Sequence, residues 1–492
     1  MLYPVPAAQP VAHRPRRTYD QLFADRLPQD AARLPVDTAS LGFFLRHALG
    51  LSAWKAYAST RWSLRVNPSS GNLHPTEAYV LRAGHVWHYD ASRHALEERC
   101  AFEIEAWTLL GLDPVRSFLV ALTSIHWRES WKYGERAFRY CQHDAGHAVA
   151  ALRIAAALCG WRLALWHDWT HQQIATLTGV DRESDFFEAE REDAVCLMLV
   201  TDDIARDVLA KPSEAFVRSV RDGRWTGQAS QLSTDHVQWT FIDEVAGATS
   251  GAVESGAPAS PAPAVRPIAD RELDAAALIL QRRSAVALDG HTTISRHVFM
   301  AMLGRTMPST AAPWDALWWS PRIHLALFVH RVEDVEPGLY LLARSPAAEL
   351  RLRSSLTHAF DWATAGDGLP LWRLAIGDHR RLAQRVSCDQ EIAADGCFSV
   401  AMLADFDASL QDHGAAFYRH LFWETGVIGQ VLYLEAEAAG IRGTGIGCFY
   451  DDAVHDLLGI RDHSFQSLYH FTVGGAVEDD RLTTEPGYQW ER

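Results

Sequence analysis

Three stretches of the sequence combine residue types and spacing in ways that could do chemistry. Residues 65–79, Arg-Val-Asn-Pro-Ser-Ser-Gly-Asn-Leu-His-Pro-Thr-Glu-Ala-Tyr, set two prolines around small polar residues ahead of an apolar run. Such a loop can lay backbone amides and the hydroxyls of Ser69 and Ser70 against a flat polar ligand, or it can be a plain turn. Residues 443–447 carry Gly443-x-Gly445-x-Gly447. Glycines weaken a strand unless the backbone must approach something closely or take positive φ. His143-Asp-Ala-Gly-His147 spaces two imidazoles at i and i+4, as zinc peptidases do, with Asp where their general-base Glu would stand.

The alternatives for the same residues are narrow. Cys448 stands where a dinucleotide fingerprint needs its third glycine, and no acid-bearing βαβ unit follows. The chain has no G-x-S-x-G elbow and no Walker loop, which removes support for serine hydrolase and P-loop chemistry.

The elements that must position these residues occur twice. A shift of 280 positions carries Arg139, Asp144, Gly146, Leu152, Gly160, Leu177 and Gly179 onto Arg419, Glu424, Gly426, Leu432, Gly440, Leu457 and Gly459 without a gap. Both copies predict an apolar helix (146–158 and 426–439) closed by glycine, then a strand, then a short helix ending in Leu-x-Gly. The shift replaces His143 and His147 by Trp423 and Val427 while keeping the acid and the glycine, which points to packing rather than metal binding, so no metal site is expected. Earlier in each half, 41–50 and 298–304 predict helices and 77–81 and 322–330 strands, an order that suits an α+β sheet covered by helices. Residues 246–267 are almost wholly Ala, Gly, Ser, Pro and Val, too poor in large apolar groups to offset their ordering entropy. The domains expected are 1–245 and 269–492, joined by a linker at 246–268.

Composition excludes several classes. With 48% hydrophobic and 22% charged residues, 492 residues can bury two or three ordinary cores. A formal charge of −15, from 61 acidic against 46 basic side chains, argues against nucleic acid as partner. No apolar run reaches the ~18 residues that span a bilayer, and the start has no signal-like pattern, so a cytoplasmic protein without a membrane partner is expected. Seven cysteines, at 100, 141, 159, 196, 388, 397 and 448, are odd in number and scattered without a C-x-x-C pair, and are expected to be reduced.

The loop at 65–79, with Gly-Glu-Arg-Ala-Phe-Arg-Tyr140 and Asp144-Ala-Gly-His147 behind it, closely resembles the nitroreductase superfamily, in particular its SagB-type dehydrogenase branch. In the second half Gly426-Val-Ile-Gly-Gln430, Ala438-Ala-Gly440, residues 443–452 and Val473-Gly-Gly475 are similar to the family's last helix, flavin loop and closing strand. The resemblance covers most of both halves. It implies two tandem nitroreductase-like folds that form a pseudo-dimer within one chain, with FMN at the interface. Further self-association is left open.

The resemblance also implies roles. Arg65, Pro68, Ser69, Ser70 and Asn72 would face the flavin from the first half; Gly443, Gly445, Ile446 and Gly447 would run beside its ring from the second. Arg282, Arg283 and Ser284 look like the family's phosphate-binding Arg-x-Ser at a helix start. A basic residue common two places after that serine is replaced by Val286, and Arg481 could supply the missing charge. Lys132-Tyr133 matches a Lys-Tyr pair implicated in proton transfer in SagB-type dehydrogenases, as hydride loss from carbon requires.

The halves look complementary rather than equivalent. Leu163-Ala-Leu-Trp-His167 stands in the first half where the glycine loop stands in the second, and Pro308-Ser-Thr-Ala-Ala-Pro313 replaces the Asn67–Asn72 segment. One well-formed flavin site and one degenerate site follow. The expected activity is an FMN-dependent dehydrogenase acting on a heterocycle or other C–N bond in a small molecule or peptide. The alternatives are an NAD(P)H-dependent nitro or quinone reductase and a scaffold that has lost catalysis.

Overall fold

The structure is a computed structural model in which residues 17–24, 33–203, 212–253 and 272–491 are described. Each half is built on a seven-stranded antiparallel sheet. In the first the spatial order is Arg162–Leu165, Asp193–Thr201, Ser117–Ser124, Thr76–Arg82, His85–Asp90, Ala95–Ala101 and Arg224–Trp225. In the second it is Arg442–Ile446, Phe465–Gly474, Phe398–Asp405, Ile323–Val329, Gly338–Leu342, Leu371–Ile376 and Ala363–Thr364. The edge strands Arg162–Leu165 and Arg442–Ile446 lie 280 positions apart, so the duplication holds in three dimensions.

Two long helices, Ala137–Cys159 and Tyr418–Ala438, pack on each other between the sheets. One apolar core joins both helices to the inner faces of both sheets, and smaller cores cover the outer faces. Both helices start earlier than their apolar periodicity predicts. Polar groups in their second turns are satisfied across the helix pair: Trp423 Nε1 donates to Gln142 (2.8 Å), and His143 Nδ1 meets Thr425 Oγ1 at 2.7 Å. After each helix comes the expected left-handed glycine, Gly160 (φ 80°) and Gly440 (φ 74°), then strand, then the short helices His171–Thr178 and Asp451–Leu458.

The halves also exchange their ends. Thr483–Pro486 adds a strand to the hairpin Leu51–Tyr57 and Thr60–Arg65, with Ala53 opposite Pro486. At the other end of the chain, Tyr19 Oη donates to Glu435 (2.9 Å) and Asp20 pairs with Arg305 (2.6 Å). Residues 246–248 of the expected linker finish the helix Thr240–Ala248, and Thr249 Oγ1 accepts from Arg419 (2.9 Å). Residues 254–268 lie outside the described residues. Among the described residues, no helix is long and apolar enough to cross a membrane.

Candidate active site

Between the halves lies a cavity of about 700 Å³, within the range of small-molecule and cofactor sites. Its first wall is the loop that follows Thr60–Arg65, where Arg65, Pro68, Ser69, Ser70 and Asn72 all line the space. The hydroxyls expected to face a ligand are largely committed to holding this loop. The amide and the hydroxyl of Ser70 both donate to Asp144 (3.0 and 3.1 Å), and Ser69 Oγ accepts from the His74 amide (2.8 Å). Asn72 Nδ2 donates to the Ser63 carbonyl (2.9 Å). Gly71, at φ 57°, cannot take a side chain without reaching Tyr133: a Cβ there would stand 2.5 Å from Tyr133 Oη and 3.0 Å from Lys132 Nζ.

Gly445, Ile446 and Gly447 form the opposite wall. The alternating glycines have a local cause, since a Cβ on Gly443, Gly445 or Gly447 would lie within 2.6 Å of Phe471, Tyr469 or Tyr140 respectively. Gly443 does not line the cavity; its carbonyl accepts from the Ala285 amide (3.0 Å) and so seats the basic segment.

That segment gathers charge at one end. Lys55, Arg282, Arg283, Ser284 and Arg442 line it together. Arg282 is the C-cap of Ala275–Gln281, so the Arg-Arg-Ser motif follows a helix end rather than opening a helix as expected. A bound anion there gains guanidinium and hydroxyl donors but no helix N-terminus. The cluster is only partly neutralised: Arg442 pairs with Glu437 (4.0 Å) and with Glu478 (3.4 Å), which also lines the cavity. Burial lowers the Arg283 pKa to about 10, and Arg282 and Arg442 add to the shift. Burial also lowers Lys55, against an opposing pull from Glu478, with Arg283 and Arg442 adding to the fall. Arg282 Nε is buried with no hydrogen-bond partner among the described residues. An orphaned donor within a cluster of four cations that two carboxylates only partly offset suits a dianionic phosphate. Arg481 is outside this cluster: it pairs with Asp479 (2.7 Å), lies over the Tyr57 ring and does not line the cavity.

The other end holds ionisable groups that form no ion pair among the described residues. Tyr133 and Asp144 line the cavity, with Glu129 buried behind them. Asp144 makes no ion pair among the described residues, whereas its counterpart under the 280-residue shift, Glu424, pairs with buried Arg344 and accepts from Trp319 Nε1 (3.0 Å). Burial raises the Asp144 carboxyl above the usual range despite its bonds from Ser69 and Ser70. Glu129 is raised by burial and then by Asp144. Tyr133 is pushed up to about 12 by burial and then by these two carboxylates, so its phenol keeps its proton at neutral pH and can offer it in a hydrogen bond. Lys132 is exposed, with its ammonium 5.1 Å from the Tyr133 ring centre, and does not line the cavity.

The pseudo-symmetric position is packed with rings. His167 stacks on Trp318 (4.7 Å), which meets His413, Phe417 and His420 edge-on at 5.5, 6.0 and 5.8 Å. His413 and His420 stand 280 positions from Tyr133 and Tyr140, and His167 the same distance from Gly447.

Residues 339–475 match the model of the nitroreductase family. The chain therefore contains a nitroreductase-family domain. A protein of Anabaena variabilis assigned to the nitroreductases superposes over 89% of this chain and 88% of its own, with a TM-score of 0.66 and 21% identity, so both halves share its fold. Two other structures give partial overlaps. One is the Escherichia coli microcin synthetase McbBCD complex with truncated pro-MccB17, at 17% identity, 40% and 71% coverage and a TM-score of 0.28. The other is a Ralstonia eutropha protein assigned to the nitroreductases, at 14% identity, 46% and 99% coverage and a TM-score of 0.30. A search of curated proteins gives no match.

Around this nitroreductase-family domain, several cavity residues escape a reading of the sequence. Lys55 reaches the cavity from the hairpin that the C-terminal strand completes, and nothing near it in sequence marks it. Asp144 left a signal, because the shift preserves an acid at 144 and 424 while the surroundings differ. The expectation of seven reduced cysteines is corrected: Cys388 and Cys448 are disulfide-bonded at the cavity wall, and five are free. These two meet because the Tyr450 amide donates to the Val386 carbonyl (2.9 Å), a tertiary contact that spacing does not reveal. His143 and His147 both pack against Tyr469, and His147 also lines the cavity. Burial lowers both to about 3; His143 stacks on Tyr469 (4.2 Å), and His147 Nε2 lies 3.3 Å from Tyr469 Oη.

Proposed function

We propose that the chain is an FMN-dependent oxidoreductase with one flavin site, acting as a SagB-like dehydrogenase on a heterocycle or other C–N bond of a small molecule or peptide. The observation that carries this reading is that one end of the cavity shared between the halves is cationic and suited to phosphate while the other holds protons at Tyr133 and Asp144. Lys55, Arg282, Arg283, Ser284 and Arg442 would hold the phosphate, and Ser69, Ser70, Gly445 and Gly447 would flank the ring. FMN supplies two-electron hydride chemistry when bound.

The residues of the chain handle protons and position. Tyr133 holds a proton at its phenol oxygen, and Asp144, poised by burial, can accept one at its carboxylate and pass it by way of the Ser70 hydroxyl. Lys132 lies beside the pair, its Nζ 5.1 Å from the centre of the Tyr133 ring. The aromatic packing of the pseudo-symmetric position supports one flavin rather than two.

The test is Tyr133→Phe in flavin-loaded protein. FMN content and spectrum should stay unchanged while kcat falls by roughly 10² to 10⁴, the usual range for a lost acid or base. Unchanged turnover with flavin retained would remove Tyr133 from the mechanism and favour a reductase that takes its protons from solvent.

A further inference from the structure

Cys388 and Cys448 form their disulfide on the wall of the cavity assigned above to flavin. Cys448 directly follows Gly447, the last glycine of the loop that would flank the ring. Cys388 sits after the helix Arg380–Val386, at φ 56°. The sulfur pair is held from several sides: Gln390 Nε2 donates to the Cys448 carbonyl (3.2 Å), and Tyr450 Oη to Asp389 (3.1 Å). Cys448 is solvent-exposed, whereas the five free cysteines are all buried and away from the cavity. A structural cross-link would not need to lie on this wall. A two-electron couple would, because flavin and disulfide both exchange electrons in pairs.

We infer that Cys388–Cys448 is a second two-electron redox centre, which accepts electrons from reduced flavin in the same cavity. The S–S bond breaks as the pair takes up two electrons and two protons; two thiols form, and the flavin returns to its oxidised state. The chain then stores four electrons rather than two, and the substrate's electrons can leave through a dithiol at the surface to an external disulfide-class acceptor. This inference rests on the flavin reading of the cavity.

The experiment uses the full-length protein loaded with FMN and freed of excess flavin, kept anaerobic in the dark, with dithionite as titrant. One two-electron equivalent should bleach the flavin, whose absorbance then recovers without oxygen. A second equivalent should leave it bleached. Alkylation in denaturant should count five thiols before titration and seven after the recovery, the two new ones mapping to Cys388 and Cys448 by peptide mass spectrometry. The C388S/C448S double variant should stay bleached after one equivalent. Because the thiol count is made on unmodified protein, a variant that fails to fold does not decide the outcome. Wild-type flavin that stays bleached with five thiols overturns the redox role and leaves the flavin site standing. Protein that retains no flavin overturns both.

Discussion

Gly146 and Gly426, 280 positions apart, face each other where the two central helices cross, and a Cβ on Gly426 would stand 2.8 Å from the Cα of Gly146. The Trp423 carbonyl lies only 2.2 Å from where a Gly146 Cβ would be. This contact sets how closely the halves approach, and with it the width of the cavity between them.

Gly146→Ala tests the crossing. In a free helix alanine would gain up to about 1 kcal/mol over glycine, but here the added methyl meets backbone that cannot swing away. Overpacking of this kind costs typically about 1–3 kcal/mol, so the urea midpoint should fall. A midpoint that is unchanged or raised would show that the helices can part without cost.

Arg282→Ala should weaken FMN by roughly 10-fold to 150-fold, the loss of a charge-assisted contact of about 1.5–3 kcal/mol. The same guanidinium donates to the Arg65 and Val66 carbonyls (3.2 and 3.3 Å), so a modest loss of stability should accompany it. Lys55→Met, which keeps the apolar stem, should weaken FMN without that loss. Flavin affinity indifferent to both changes and to salt would move the phosphate elsewhere.

The buried carboxyls give a pH dependence of definite sign. Asp144 and Glu129 keep their protons in the folded state to higher pH than in the unfolded chain. As pH rises above the ordinary carboxylate range near 4, the native state therefore binds more protons and stability falls, by at most about 1.4 kcal/mol per pH unit for each retained proton. The decline continues until the folded-state pKa is passed. Asp144→Asn with Glu129→Gln should flatten this part of the stability curve and raise the denaturation midpoint at pH 8 relative to wild type. An unchanged slope would mean that both groups ionise normally in the fold.

Much of this architecture was legible in the sequence because the duplicated signals are local. The glycine stops at 160, 179, 440 and 459 and the apolar helix faces come from nearest-neighbour stereochemistry, and the shift aligned them. The opening turns of the central helices were missed because the polar groups of Gln142 and His143 are satisfied by Trp423 and Thr425, residues far away in the chain. For the same reason Lys55, the Cys388–Cys448 pair and the local cause of the glycine repeat were out of reach. Each depends on what the fold brings opposite, such as Tyr469 against Gly445. The Arg-Arg-Ser motif was found, but its place at a helix end was not, since Asp274 caps a helix whose apolar run stops at Gln281.

The central claim, one flavin held between unequal halves, is tested most directly by counting cofactor. Protein expressed with ample flavin, desalted and denatured, should release about one FMN per chain, identified by mass and absorption. Two per chain would show that the rings packed around Trp318 and His167 do not block the second position. None, after reconstitution with excess FMN, would contradict the account.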